Sequence, residues 1–438
     1  MVPRQVVIAS VVMVATFAAG MMAPRRYRCP VGTLLILCSL VAAAAAGFGF
    51  PVRHLIEGMF TYFNIILVCA TGAIFLATLE DSGAAAAMTK SLVRRLYRVP
   101  ALLLVVMMLL LLVPGMLTGI AVNSVLSVGV LVAPIMIGLG IPRTTTAVII
   151  GIGAILSMVM PPTNLLAMSI AMGINAPFEG FTVPTLLLSV PLAILTGLAL
   201  GLPHIRRIAL ADLVGLLPED YGLAGTIRPW LPLGVVVGIM TVIRLSPRVV
   251  PDIGTPLTFI IGTIVAAFCG RRFAVLATVS RAMSGPMLGI LELLVGIGVF
   301  VQIATLTGVR GLLVTSSLSL PHVLAYLAAA VALIVSGGLL SPFGAGAIFG
   351  VPFVLFFLDR NQIMTIVAIS LLAALSQFSP PTAIAGRFAA DVAGVDEYKK
   401  VWRASLVPVG LLAVVGLVVI AWADRAAALV AVIAPSGW

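Results

Sequence analysis

Uncharged apolar runs recur along the whole chain, and nothing else limits its folding so severely. The segments Val6 to Met22, Val31 to Phe50, Ala101 to Val113, Val183 to Leu202 and Leu406 to Trp422 contain no Asp, Glu, Lys or Arg. Most of them approach the roughly 20 residues needed to cross the hydrocarbon layer of a membrane, and there are about ten to twelve such segments in all. With 62% hydrophobic and 9% charged residues, the chain has too little polar surface to coat a soluble globule of 438 residues. The first run ends at Met21-Met22-Ala23-Pro24 and is followed at once by another, which reads as a retained helix and not a cleaved signal.

The net charge of +11 and pI of about 10.3 do not indicate a nucleic-acid binder, because the basic residues are scattered through short loops with no interleaved aromatics. The pattern fits the bias of Lys and Arg toward the cytoplasmic side of membrane proteins. With the amino terminus outside, Arg25, Arg26, Arg28, Lys90, Arg94, Arg95, Arg98, Arg143, Arg206, Arg207, Arg228, Arg271, Arg272, Arg281, Lys399, Lys400 and Arg403 fall inside. That is about 17 of the 25 Lys and Arg, against about 7 outside. Cys29, Cys38, Cys69 and Cys269 lie far apart, without CxxC or Cys/His spacing, so neither a disulfide framework nor a transition-metal site is expected.

This orientation requires Ala101 to Gly140 and Pro321 to Leu358 each to enter and leave on one side. Each has room for two half-helices around a bend marked by helix breakers, so both read as re-entrant hairpins opening to opposite faces. After each hairpin comes a helix interrupted by the same peptide. Ala154, Leu156, Ser157, Pro161, Pro162 and Thr163 match Ala373, Leu375, Ser376, Pro380, Pro381 and Thr382 at a spacing of 219 residues. Paired prolines in mid-membrane remove backbone donors and free carbonyls, which survive only where something polar meets them. In inverted-repeat transporters, unwound carbonyls of this kind ligate Na⁺, and the amino ends of the half-helices face an anionic substrate. The hairpin tips, Thr118 to Ser124 and Ser341 to Gly346, put Gly and small polar residues where close backbone approach is needed.

Few charges fall within the spans. Arg387, about two turns beyond Pro380, is a candidate to hold a carboxylate bidentately or to pair with Asp391 four residues on. Glu292 can carry a proton, help to bind a cation, or pin one helix to the next. Glu80 and Asp81 are expected to be solvated at a span end, and His54, His204 and His322 have no assigned role. There is no HExxH, GxSxG, aspartate-rich diphosphate motif or Cys/His cluster, so no enzyme activity is expected.

Over almost its whole length the chain resembles the large membrane subunit of tripartite ATP-independent periplasmic (TRAP) transporters, within the wider ion-transporter superfamily. The likeness rests on Leu55 to Phe60, Leu79 to Gly83, the hairpin at Gly119 to Ser124, the run Gly140-Ile-Pro-Arg143, and the two Pro-Pro breaks. The chain departs from the family pattern at Asn123-Ser124, at Met160-Pro-Pro-Thr-Asn164, and at Ser341-Pro342, where an acidic residue is usual. The resemblance implies an all-α polytopic membrane protein in the bacterial inner membrane, multi-pass, with a periplasmic amino terminus. Its fold would be an inverted repeat with two re-entrant helical hairpins and two broken helices, working as an elevator.

Residues 1–100 would be scaffold helices, 101–174 the first hairpin and broken helix, 175–320 scaffold and connecting loop, 321–394 the second hairpin and broken helix, and 395–438 the last helix. It further implies Na⁺-coupled uptake of an organic anion, no organic cofactor, a small four-helix membrane subunit, and a periplasmic substrate-binding protein. Na⁺ would be bound by Gly119, Asn123, Ser124 and Pro161 and by Ser341, Gly344, Gly346 and Pro380. Substrate would contact Arg387, Thr163, Thr382 and Asn164. The alternatives are a stand-alone proton-coupled anion transporter using Glu292, and a non-transporting scaffold subunit.

Overall fold

The computed structural model describes residues 3–24, 26, 29–205, 225–246, 251–269 and 274–433. Arg25, Arg28, Arg206, Arg207, Arg271 and Arg272, which bear on the orientation argument, lie outside the described residues. Every regular element among the described residues is helical, and eight helices are long and apolar enough to cross a membrane. Shorter apolar helices, such as Val31–Ala45 and Gly254–Cys269, accompany them. This is the architecture of an all-α multi-pass membrane protein, in which each helix satisfies its own backbone without water.

The order of elements occurs twice. In the first half, Val31–Ala45, a short amphipathic helix Val52–Phe60 and a long helix Phe63–Asp81 lead through left-handed Gly83 into Ala84–Leu96. Hairpin 1 follows, with arms Pro100–Thr118 and Ala121–Gly138, then broken helix 1 (Arg143–Met158 and Leu165–Gly173), then Thr182–Gly201. In the second half, Gly254–Cys269, the amphipathic Val275–Ala282 and the long Pro286–Leu306 lead through left-handed Gly308 into Val309–Leu318. Hairpin 2 is formed by His322–Ala345 and Val351–Phe356, broken helix 2 by Gln362–Leu375 and Ile384–Val392, and Tyr398–Ala421 comes next. The first arm of hairpin 1 has 19 residues, about 28 Å at 1.5 Å per residue, so it is longer than the half-helix expected from the sequence.

The halves exchange partners. Helix Phe63–Asp81 packs on Gly254–Cys269 and Val275–Ala282 of the second half, and Pro286–Leu306 packs on Val31–Ala45 and Val52–Phe60 of the first. Contacts through Gly32 with Gly296 and Gly58 with Gly298 bring these backbones close enough that a Cβ at any of the four would meet the facing main chain. Asp81, expected to be solvated, instead pairs with Arg281 and accepts a 2.6 Å hydrogen bond from the Thr278 hydroxyl. The carboxylate pushes the Arg281 guanidinium's pKa up, so that it stays charged.

The core lies in the broken helices. Every residue from Thr146 to Met158 and from Met364 to Leu375 is buried, and a helix apolar on all sides belongs inside a bundle. Ile384–Val392 packs against Arg143–Met158, and Leu165–Gly173 packs against Gln362–Leu375. Each half's trailing piece thus covers the other half's leading piece, and the two breaks come into the middle of the protein.

Candidate functional site

At the first break, Arg143–Met158 ends before the cis Pro161-Pro162 bond and Leu165–Gly173 resumes after Asn164. Hairpin 1 closes on this break. Its first arm ends at left-handed Gly119 (φ 69°), so the last-turn carbonyls of the arm lose their intrahelical partners. The Thr163 hydroxyl donates to one of them, Met116 O. Behind it, Gly115 N–H donates to Ser124 Oγ at 2.7 Å, and the Ser124 and Ser157 oxygens lie 2.9 Å apart. Because the Ser157 hydroxyl donates to Ala154 O at 2.6 Å, Ser124 must supply the proton between the two serines.

The second break repeats the arrangement. Helix His322–Ala345 is kinked at Ser341 (φ 71°, ψ 155°), and Pro342 has no N–H to offer the Gly338 carbonyl four residues back. Thr382 fills that place, with its hydroxyl donating to Gly338 O at 2.9 Å and its N–H at 3.3 Å. Thr382 stands 219 residues after Thr163, and Gly338 stands 222 after Met116. The shoulder is the same too, since a side chain at either Gly115 or Gly337 would collide with Ser157 Oγ or Ser376 Oγ respectively. Beyond each tip the chain forms a five-residue π-helical turn, Val125–Gly129 and Gly346–Gly350. Such turns are rare and are frequent at functional sites. Each π turn packs on the other half's trailing piece, the first on Ile384–Val392 and the second on Leu165–Gly173.

The amino ends of the trailing pieces differ. Asn164 is 1% exposed; its Oδ1 accepts from Ala167 N at 2.9 Å, and its Nδ2 donates to Val159 O at 2.8 Å and to Ser370 Oγ at 3.3 Å. It is a helix cap and a cross-link between the two broken helices, and these bonds occupy the groups expected to contact substrate. The corresponding residue in the second half is Ala383, left-handed at φ 45°, which has no capping group. There Gln377, eight residues before Ala385, accepts from the Ala385 N–H at 3.1 Å.

The other sequence-derived candidates divide into three groups. Gly119, Ser124, Pro161 and Thr163 meet at the first break, and Pro380 and Thr382 meet the hairpin 2 arm at the second. Gly346 faces Ile170 and Leu166 of the other half, whereas Gly344 faces Leu340 of its own arm and Ile297. The half-buried Asn123 side chain has no hydrogen-bond partner among the described residues, and its short helix Ala121–Ser124 packs against Ile384–Val392.

One expectation needs correction, and one open choice is narrowed. Arg387 is exposed, not buried, because it lies on the outward face of Ile384–Val392 opposite buried Ala385 and Ala389. It donates to Pro381 O at 2.9 Å and lies 5.6 Å from the Tyr398 ring centre, and among the described residues no ion pair joins it to Asp391. Glu292 lies with neither break. Its carboxylate accepts from the backbone N–H of Thr33 and, at 2.7 Å, from the Thr33 hydroxyl, capping helix Val31–Ala45. Of the roles open to Glu292, this geometry is the helix pin.

No group of His, Cys, Asp and Glu among the described residues is arranged to hold a metal ion. Gln377 and the Gly337-Gly338 pair are residues of the site that sequence reasoning passed over. The signal for Gln377 was its place inside the repeated peptide, opposite Met158. A scan against protein-family models and a search of the curated proteins find no match for this chain.

Proposed function

We propose that this chain is the membrane-embedded permease of a secondary transporter that imports an organic anion, with a carboxylate as the expected class, coupled to Na⁺ by an elevator movement. The observation that carries the reading is the duplicated clamp, in which a threonine after each Pro-Pro break holds the open end of a hairpin arm. The resulting unit of two hairpins and two broken helices sits in the middle of a membrane protein, where irregular backbone is tolerated only inside protein or along a cavity. Its elements come from two halves with reciprocal packing, as an inverted repeat would supply. The remaining helices form the scaffold.

In this reading Na⁺ is coordinated by backbone oxygens at the tips and breaks, while Asn123 and Arg387 face the solute. Thr163, Asn164 and Ser124 hold the frame. The engagement of Glu292 by Thr33 favours Na⁺ over protons. The small membrane subunit, the periplasmic binding protein, the bacterial inner membrane and the periplasmic amino terminus belong to the same proposal.

The test is the thermal stability of the detergent-purified chain in Na⁺ against K⁺ at fixed ionic strength, followed by uptake of carboxylates into proteoliposomes. A ligand that binds only the folded state raises its stability with the logarithm of saturation. The expected result is a Na⁺-specific rise and uptake driven by an inward Na⁺ gradient. Equal melting in both salts overturns sodium coupling, and absence of uptake under any ion gradient overturns transport.

A further inference from the structure

Helix Ala84–Leu96, which leads into hairpin 1, has 13 residues, about 20 Å at 1.5 Å per residue, and is too short to span a bilayer. It is amphipathic. Ala84, Ala87, Met88 and Ser91 are buried, whereas Arg94 and Arg95 in its last turn are exposed. Among the described residues no carboxylate pairs with either arginine. Arginines at the end of an amphipathic helix, with no acidic partner, are the pattern of contact with anionic lipid.

A third arginine is fastened to the same helix. Ser91 Oγ accepts from the Gly225 N–H at 2.8 Å, and the helix packs against the turn Arg228–Trp230. Residues 91, 94 and 95 are neighbours on one helical face, so the segment carrying exposed Arg228 is held one turn before Arg94 and Arg95. Arg228 likewise has no acidic partner among the described residues.

Immediately after this turn the chain enters the apolar helix Leu231–Leu245. A cleft of about 270 Å³ opens at its start, lined by Ile227, Trp230, Leu231, Gly234 and Val235. One turn further on the same side stands Gly238, and a Cβ at Gly234 or Gly238 would meet nothing within 4 Å. The cleft is therefore an open apolar groove whose upper end carries the arginines. Tryptophan between the two belongs at the membrane–water interface.

A soluble anion would leave the groove empty. An apolar helix of another protein would fill it and leave three guanidiniums unused, and a zwitterionic lipid would bring a cation to them with its phosphate. A phospholipid of net negative charge satisfies both parts. The corresponding helix of the second half, Val309–Leu318, has no Lys or Arg in its last turn, where Thr315, Ser316 and Ser317 stand instead.

We propose that Arg94, Arg95 and Arg228 hold the headgroup of one anionic phospholipid, whose acyl chain lies in the groove along Leu231, Gly234 and Gly238. The lipid bridges the helix that carries hairpin 1 to helix Leu231–Leu245. This seat depends on the membrane architecture and not on the solute or the coupling ion, so its failure leaves the transport reading standing.

The experiment uses the full chain, delipidated in detergent. It is titrated with phosphatidylglycerol, with phosphatidylcholine of the same acyl chains, and with glycerol 3-phosphate, and binding is read by native mass spectrometry and thermal shift. Phosphatidylglycerol is expected to bind one molecule tightly and to raise the melting temperature, phosphatidylcholine to bind on the order of tenfold more weakly, and glycerol 3-phosphate to have no effect. Arg94→Gln combined with Arg95→Gln is expected to melt without lipid as the parent does and to bind phosphatidylglycerol on the order of tenfold more weakly. Gly234→Leu, which fills the groove, is expected to lose binding to a similar degree. Arg403→Gln, an exposed arginine on another helix, is expected to bind as the parent does. Equal binding of the two lipids, or unchanged binding in the double variant, overturns the headgroup seat. Unchanged binding in Gly234→Leu overturns the place of the acyl chain. A thermal shift with glycerol 3-phosphate equal to that with the lipid makes this a site for soluble anions, and equal loss in Arg403→Gln makes the attraction a general one; either overturns the proposal.

Discussion

At the scale of single residues, the two clamp threonines carry similar bonds in different surroundings. Thr163 is fully buried and Thr382 half-buried. Thr163→Val leaves the part-buried Met116 carbonyl without its partner, and the expected loss of stability is about 1–3 kcal/mol. Thr382→Val costs less, because its backbone N–H still reaches Gly338 O. Melting of the two variants side by side checks the order. Ser341 makes the opposite prediction. At φ 71° and ψ 155° it occupies a region open almost only to glycine, at a cost on the order of 1–3 kcal/mol. Ser341→Gly relieves that cost, less the ~0.5–1 kcal/mol of added chain entropy, and is expected to melt higher than the parent. A lower melting temperature would show that the serine side chain stabilises the tip by more than the backbone conformation costs.

Between elements, packing of the halves depends on glycine where long and short helices cross. A Cβ at Gly32 would collide with the Glu292 main chain, and one at Gly58 would lie 2.6 Å from Val299 Cα. Backbone atoms on both sides leave no flexible side chain to give way, so accommodation requires moving a helix. Gly32→Ala and Gly58→Ala are expected to lower the yield of monodisperse protein sharply. Gly234→Ala, where nothing lies within 4 Å, is expected to behave as the parent does. Size-exclusion profiles of the three distinguish a packing requirement from a general intolerance of alanine in apolar helices.

For the whole molecule, the telling contact is the one that helix Phe63–Asp81 makes with the tip of hairpin 1. There the buried Cys69 thiol donates to Thr118 O at 3.4 Å, and Gly72 lies against Leu117 O. An elevator slides the tip past this helix, whereas a fixed scaffold subunit keeps the contact. With Cys29, Cys38 and Cys269 replaced by serine or alanine, the rate of Cys69 alkylation by a small maleimide is expected to change when Na⁺ and a bound carboxylate are added. A rate independent of both would remove the elevator movement while leaving the fold in place.

The sequence by itself determined the membrane class and the two breaks. These follow from local chemistry: an uncharged run must be a helix in lipid, and a Pro-Pro pair interrupts that helix wherever it falls. The recurrence at a spacing of 219 residues was legible for the same reason. Only the tertiary structure decided which polar groups at the breaks remain free to act. Thr163, Asn164 and Arg387 were all candidate ligand contacts in the sequence. Thr163 binds a carbonyl 47 residues away, Asn164 reaches a serine 206 residues away, and Arg387 lies on an exposed face. Gln377 was unremarked because its role as a cap depends on the fold bringing the Ala385 N–H to its side-chain oxygen. A hydrogen bond uses up a donor or an acceptor wherever the partner sits in the chain, and that partnership is settled by packing and not by spacing.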